Sequence, residues 1–289
     1  MSVANKSIPL RLLSSEDLCI SMSTSIVERV GSATVRHLEY VGGLVIQIRN
    51  AVAALGRTLP LVGNRNRWRS AVGQMLAVGV DAFPMVGIMA VCAGFILAMQ
   101  GASELRRFGA MQFVIDLVSV GFTRELGPLL TAIAVSGRSG SAFSAEIGSM
   151  VVTEEIDALR TMGIDPTEFV LAPKYLAALV VLPCLTILSN ACGILAGGVF
   201  MRISTGMALS VYFQYAAHAI VLRDVMTGLV KSLAFATIIV HVGCLEGFRV
   251  RGGPDAVGRS ATAAVVKSTF LVILADVGFT AIFYLTGGS

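Results

Sequence analysis

The chain has 289 residues, of which 55% belong to the set Ala, Val, Ile, Leu, Met, Phe, Trp, Tyr and Cys and only 14% are charged. Soluble domains carry about 25% charged residues. The composition therefore excludes a disordered chain, a coiled coil and an ordinary soluble enzyme, and it predicts an integral membrane protein. The net charge of +4 comes without a basic run interleaved with aromatic residues, so no nucleic-acid partner is predicted.

The part of the chain before the first long apolar run divides in two. Residues 1–27 are rich in serine and lack the pattern of a secretory signal, and we predict a disordered N-terminal extension. Residues 28–57 place Val, Leu and Ile near a helical period, with Arg and Glu between them. This pattern predicts an amphipathic helix on the inner membrane surface, or a helix packed on another protein. We assign 28–70 to this interfacial region and 71–289 to the membrane domain.

Five apolar stretches are long enough to cross a hydrocarbon core of about 30 Å. Four of them carry few or no charges, and they comprise 82–103, 175–201, 225–247 and 268–288. The fifth, 116–150, is apolar overall but contains Arg124, Glu125, Arg138 and Glu146. We include it because five crossings distribute the positive charges best.

The Lys and Arg residues predict the orientation. Nine precede the first span, three lie between the second and third, and four lie between the last two, whereas five lie on the other side. By the positive-inside rule, the N-terminus is cytoplasmic and the C-terminus lies outside.

Known catalytic and metal-binding patterns are missing from the sequence. There is no Gly-Lys dipeptide and hence no P-loop, and there is neither an HExxH nor a GxSxG motif. We interpret the five cysteines as small buried hydrophobes, and the three histidines are too scattered to bind one metal. No cofactor and no enzymatic activity are predicted, so another chain must hydrolyse any ATP that is used.

Ionisable residues at membrane depth are costly and indicate function, here transport. Arg124 and Glu125 are adjacent, and the Gly-Pro pair at 127–128 loosens the helix after them. A mutual or interhelical ion pair is an equally good interpretation. Lys231 and Asp276 lie inside later spans, where they form either a structural bridge or a proton relay.

Small residues at four-residue spacing follow in the second span. They are Gly137, Gly140, Ser141, Ser144 and Gly148. Such a stripe lets two helix backbones approach closely in lipid. A phosphate-binding glycine loop is the weaker alternative, because no strand precedes the run and no lysine follows it.

A short amphipathic helix is predicted next, with Thr153 as its N-cap and Gly163 at its C-terminal end. A helix this short is not stable alone, so it should bind the membrane surface or a soluble partner. Its surface comprises Glu154, Glu155, Ile156, Asp157, Leu159, Arg160 and Met162. Ile156, Leu159 and Met162 are expected on one face.

Four motifs together resemble the MlaE/YrbE-type permeases, the membrane subunits of the bacterial Mce-associated ABC lipid transporters. These motifs are RELGP at 124–128, GRSGSAFSAEIGSM at 137–150, EEIDALRTMGIDP at 154–166 and APKYLA at 172–177. The resemblance extends over about residues 70–287. It includes Gly94, the Gln-Gly pair at 100–101, the Lys-Ser pair at 231–232 and Asp276.

The resemblance implies an all-α integral membrane fold with an N-terminal amphipathic interfacial helix, five transmembrane helices and a short cytoplasmic coupling helix. It further implies a homodimer, a cytoplasmic ABC ATPase subunit bound by the 154–162 helix, and a periplasmic Mce-domain protein. A small cytoplasmic accessory subunit is a partner that the resemblance leaves open. By position, the phospholipid pocket would be lined by Leu97, Leu105 and Phe108, with Arg124 and Glu125 near it.

These observations predict an ATP-driven phospholipid permease in the bacterial inner membrane. Plant chloroplast importers share the family, so the compartment depends on the organism. A proton-coupled secondary carrier using Glu125, Lys231 and Asp276 is the first alternative, although such carriers typically show an internal repeat and none is found. A membrane scaffold without transport activity is the second alternative.

Overall fold

A computed structural model describes Gly42, Gly43 and residues 65–285, with side chains from 72 onward except that of residue 168. The part of the chain that it describes is helical throughout, with turns between the helices. The helices are α1 Arg65–Leu105, α2 Phe113–Gly121, α3 Gly127–Val135, α4 Ser141–Val152, α5 Glu155–Thr161, α6 Ala172–Thr205, α7 Leu209–Ala219, α8 Leu222–Phe248 and α9 Pro254–Leu285. The predicted extension 1–27 and nearly all of the predicted amphipathic segment 28–57 lie outside the described residues.

Four helices of the described chain are long and apolar enough to cross a membrane. They are Val72–Phe108, Phe169–Thr205, Leu222–Phe248 and Pro254–Leu285. Each contains one of the four predicted spans of low charge, apart from the last residues of the fourth. These four predictions are confirmed as helices of spanning length.

The predicted fifth stretch is built differently. Helices α2, α3 and α4 follow one another from Phe113 to Val152, joined by π-helical turns at Phe122–Leu126 and Ser136–Gly140. At about 1.5 Å per residue, these residues extend about 60 Å, although none of the three α-segments alone is long enough to cross a membrane. Pro128 follows the first π turn, where its missing N–H group favours an interrupted hydrogen-bond ladder. We call Phe113–Val152 the segmented helix.

Glycines bring the long helices into close contact. At the α1–α6 crossing, a Cβ atom on Gly94 would lie 2.2 Å from the carbonyl oxygen of Gly193. Between the segmented helix and α8, a Cβ on Gly228 would lie 2.3 Å from the Thr123 carbonyl oxygen. Backbones this close gain van der Waals contact in lipid, where burial of apolar surface contributes little.

Candidate functional site

The first π turn places two adjacent charged side chains against α8. Arg124 Nε lies 3.0 Å from Asp224 Oδ1, and Glu125 Oε2 lies 2.5 Å from Lys231 Nζ. Of the two kinds of ion pair left open by the sequence, the structure shows the interhelical kind. We call these four residues, together with Asp276, the charged cluster.

Lys231 is the centre of the charged cluster. Its side chain is 0% exposed, and its ammonium group donates to Glu125 and, at 2.9 Å, to the Thr280 hydroxyl. The same nitrogen lies 2.8 Å from Asp276 Oδ1, so the structural bridge between Lys231 and Asp276 is present. A buried cation of this kind requires its carboxylate partners, since an unpaired charge in a low-dielectric interior is very costly.

Asp224 orients Arg124. This buried carboxylate faces the guanidinium through Oδ1 and accepts a hydrogen bond from the Val221 N–H through Oδ2, at 3.1 Å. The Arg124 side chain is nevertheless 31% exposed, so a ligand can reach it. A guanidinium held in this way suits bidentate recognition of phosphate. Sequence reasoning missed Asp224, although an acidic residue in the first turn of a spanning helix is a signal that could have indicated it.

The apolar residues predicted for the pocket lie on α1 and just after it. Leu97 and Leu105 pack partly buried against an apolar cluster that includes Val114 and Phe122. Leu97 also comes close to Gly121, which directly precedes the first π turn. Phe108 lies apart from that cluster, in a 3-10 turn, and is 80% exposed.

The small residues around the second π turn divide into two faces. Gly140, Ser144 and Gly148 are buried and contact α8 and α9; for example, the Ser144 hydroxyl lies 2.7 Å from that of Ser260. Gly137 is exposed, and the Ser141 hydroxyl donates to the Gly137 carbonyl of its own helix at 2.7 Å. Only the first of these two faces brings helix backbones together.

A helix capped by Thr153 would begin at Glu154, but the short helix after α4 begins one residue later. Glu154 has a left-handed backbone with φ 61°, and α5 starts at Glu155. The Thr153 hydroxyl donates to the Ser149 carbonyl at 3.0 Å, so it terminates α4 and does not cap α5. The predicted Thr153 cap is therefore wrong. Gly163 adopts the left-handed conformation predicted for the end of the helix, with φ 74°.

The apolar residues of α5 do not share one face. Ile156 and Leu159 are buried in the chain's own core, whereas Met162 is 64% exposed. Each step of three residues falls about 60° short of a full turn, so Met162 lies about 120° around the helix from Ile156, and it is the C-cap residue after the last residue of α5. The exposed surface of the segment comprises Glu154, Glu155, Asp157, Ala158, Arg160, Thr161 and Met162.

Further ion pairs join α4 to α6, the helices that flank α5, and α8 to α9. The buried Lys174 ammonium lies 2.6 Å from Glu146 Oε2 and 5.3 Å from the centre of the Phe143 ring. Lys267 and the buried Glu246 pair at 2.9 Å between α9 and α8. Both contacts are long-range in sequence, so spacing gave no indication of them.

Comparison with known proteins identifies the family of this chain. Residues 71–282 match the family model of Permease MlaE. A probable ABC transporter permease protein of Rickettsia bellii is 32% identical over 91% of this chain and 99% of its own length. A probable ABC transporter permease protein of Synechocystis is 37% identical over 75% of this chain and 82% of its own.

A plant relative extends the comparison. The protein trigalactosyldiacylglycerol 1, chloroplastic, of Arabidopsis thaliana is 30% identical over 80% of this chain and 66% of its own length. The family match covers most of the chain, including the charged cluster, α5 and the four spanning helices apart from the last three residues of the fourth. The chain therefore belongs to the MlaE permease family and is the membrane permease subunit of an ABC transporter, which works with an ATPase subunit.

Proposed function

We propose that this permease moves phospholipid between the bacterial inner membrane and a periplasmic Mce-domain protein, driven by ATP that a separate cytoplasmic subunit hydrolyses. The observation that carries the proposal is Arg124, a guanidinium oriented by Asp224 yet 31% exposed within an apolar helical bundle. Acyl chains need apolar area, and one headgroup phosphate needs one well-placed cation. The plant relative's name, which is that of a galactolipid, supports a lipid cargo.

The proposed assembly is a homodimer whose two copies enclose the lipid. Leu97, Leu105 and Phe108 line the pocket, with Arg124 and Glu125 beside it. The exposure of Phe108 suits a side chain that a lipid or a second copy covers. The N-terminus is cytoplasmic, the C-terminus is periplasmic, and a small cytoplasmic accessory subunit belongs to the same proposal.

The first experiment purifies the full chain from native membranes and identifies its proteins and lipids by mass spectrometry. We expect an ABC ATPase, an Mce-domain protein and phospholipid in stoichiometric amount. A homodimer without an ATPase would contradict the ATP-driven mechanism. Transport that needs no ATPase but stops with a protonophore would favour the secondary carrier, for which Glu125, Lys231 and Asp276 supply titratable groups.

Arg124→Lys tests the phosphate contact. Lysine keeps the charge opposite Asp224, so folding is preserved, but it loses the planar pair of donors that fits a phosphate. We expect retained phospholipid to fall about tenfold, which corresponds to about 1.4 kcal/mol. The measurement is lipid per protein by mass spectrometry after a detergent wash.

Arg107→Lys is the matched control for this experiment. Arg107 lies in the turn after α1 and pairs on the surface with Glu104. Lipid retention should be unchanged in this variant. Equal retention in Arg124→Lys and Arg107→Lys would remove Arg124 from the proposed site.

Met162→Glu tests ATPase coupling. In our proposal the ATPase-coupling segment consists of Glu154, Glu155, Ile156, Asp157, Leu159, Arg160 and Met162, and its exposed side binds the ATPase. Because Ile156 and Leu159 are buried in the chain's own core, they support the segment from behind, and Met162 is the exposed apolar contact. A carboxylate at 162 should reduce ATPase co-purification at least about tenfold, since burying an unpaired charge costs more than 1.4 kcal/mol.

Ser210→Glu is the control for the coupling experiment. It adds the same charge at an exposed site on α7, which the whole length of α6 separates along the chain from the α5 region. ATPase binding should match that of the unmodified chain. Normal ATPase binding and lipid transport by Met162→Glu, at normal expression, would contradict the coupling assignment.

A further inference from the structure

The connection between α6 and α8 is apolar although it is too short to cross a membrane. Residues 203–222 contain no Asp, Glu, Lys or Arg, and Arg202 and Arg223 bound them. Within this stretch α7 has 11 residues, or about 16 Å of helix, roughly half of a hydrocarbon core. An uncharged helix of this length between two spanning helices requires a specific environment.

One tyrosine fixes how α7 is rotated about its axis. Tyr212 is buried and packs into a notch on α6 made by Gly197 and Gly198. A Cβ on Gly198 would lie 2.9 Å from the tyrosine ring, and one on Gly197 would lie 2.9 Å from its hydroxyl oxygen. Ala216, one turn later, is buried on the same side. The side of α7 that faces away from the protein is therefore determined.

That outward side is polar along its centre and apolar along both margins. Ser210, Gln214 and His218 recur every four residues, opposite Tyr212 and Ala216, and all three are exposed. The apolar residues Val211 and Tyr215 flank this line on one side, and Phe213 flanks it on the other. All three remain exposed, with Tyr215 at 52%.

The exposed apolar residues of α7 are followed along the chain by an exposed apolar face on the next spanning helix, α8. Leu222, Met226, Val230 and Leu233 are exposed on α8 at spacings of four, four and three residues, which place them on one face. On a membrane-spanning helix such a face contacts acyl chains. Only Ile220 and Val221 separate α7 from α8, so the two apolar surfaces are adjacent along the chain.

We propose that α7 lies flat in the headgroup region of the bilayer, as an interfacial helix built into the permease. Its Ser210–Gln214–His218 line faces water, and Val211, Phe213 and Tyr215 enter the top of the acyl-chain layer. Tyrosine is the residue type enriched at this depth, and the flanking Arg202 and Arg223 suit lipid phosphates. The partner of this surface is the lipid bilayer itself.

Tryptophan fluorescence in lipid nanodiscs tests the depth of α7. The chain has one tryptophan, so Trp68→Phe gives a background without it. Tyr215→Trp then reports on the apolar margin, and the neighbouring Gln214→Trp is the matched control on the polar line. We expect lipids brominated near the top of the acyl chain to quench Tyr215→Trp at least about twice as strongly as Gln214→Trp, because the apolar side of an interfacial helix lies about 5–10 Å deep. Iodide in the water should quench Gln214→Trp more strongly than Tyr215→Trp.

Two results would overturn the proposal. One is iodide quenching of Tyr215→Trp as strong as that of Gln214→Trp, with no effect of brominated lipid. The other is protection of Tyr215→Trp that arises only when a second protein is added, which would assign this surface to a protein partner. Phe213→Trp repeats the measurement on the opposite margin, so a folding defect in one variant does not decide the outcome.

Discussion

Lys231→Met is expected to cause the largest loss of stability of any single charge removal in the described chain. The change leaves Glu125 and Asp276 next to each other without the fully buried cation that both contact. Breaking a buried ion pair in this way typically costs about 3–5 kcal/mol. We expect a much lower thermal midpoint of the purified protein in detergent, together with a lower yield of monodisperse protein.

Two further variants make this result interpretable. Arg107→Met removes a cation from a surface pair with Glu104, which should cost less than about 1 kcal/mol. In the triple variant Lys231→Met, Glu125→Gln and Asp276→Asn, no buried charge is left unpaired, and most of the lost stability should return. A Lys231→Met protein as stable as Arg107→Met would show that the charged cluster does not stabilise the fold.

Gly94→Ala is expected to disrupt the crossing of α1 and α6. The added methyl group would lie 2.2 Å from the Gly193 carbonyl oxygen and 2.8 Å from its Cα, so two backbones must move apart. Overpacking of cores typically costs about 1–3 kcal/mol, and we expect at least the upper end because no side chain can give way. The thermal midpoint and the gel-filtration profile measure the effect.

Gly87→Ala on the same helix is the matched control. No atom lies within 4 Å of a Cβ built on Gly87. Since alanine favours helix by about 1 kcal/mol over glycine, this variant should be as stable as the original chain or more so. Equal midpoints for the two variants would mean that the helices do not approach as closely as the structure shows.

The spanning helices were predictable because their signal is local. Absence of charge over 82–103 or 175–201 is sufficient to indicate a helix in a membrane, since backbone groups have no other partner there. The family was predictable for a similar reason, because its motifs are short runs of consecutive residues. Both predictions are confirmed.

The partners of the charged residues could not be predicted in the same way. Arg124 and Glu125 are adjacent, yet they reach Asp224 and Lys231, about a hundred residues further along the chain. Likewise, Arg138 pairs with Asp81 on α1. A pattern along one helix contains no information on which other helix crosses it, so such pairs become visible only in three dimensions.

Local patterns also failed where a helix ends. The spacing of Ile156, Leu159 and Met162 falls about 60° short of a full turn at each step, so they share one face only approximately, and only if the helix continues through Met162. The helix stops one residue earlier, and Met162 turns outward. Helix propensity alone cannot place the ends of a helix to within one residue. In α5, the left-handed backbone of Glu154 determines where the helix starts, and the packing of Ile156 determines which side of it is buried.

The two π turns give the segmented helix a phase that changes along its length. Each turn holds one residue more than an α turn, so everything after it is rotated by about 100° relative to an uninterrupted helix. Arg124 lies in the first turn, and Gly140 ends the second, yet both face α8. Deleting a single residue such as Ser139 would therefore let the second π turn close as an α turn with α4 still facing α8, whereas the same deletion inside α4 would rotate the residues after it by about 100°. In the segmented helix, the side on which a residue lies therefore depends on the number of residues before it as much as on its identity.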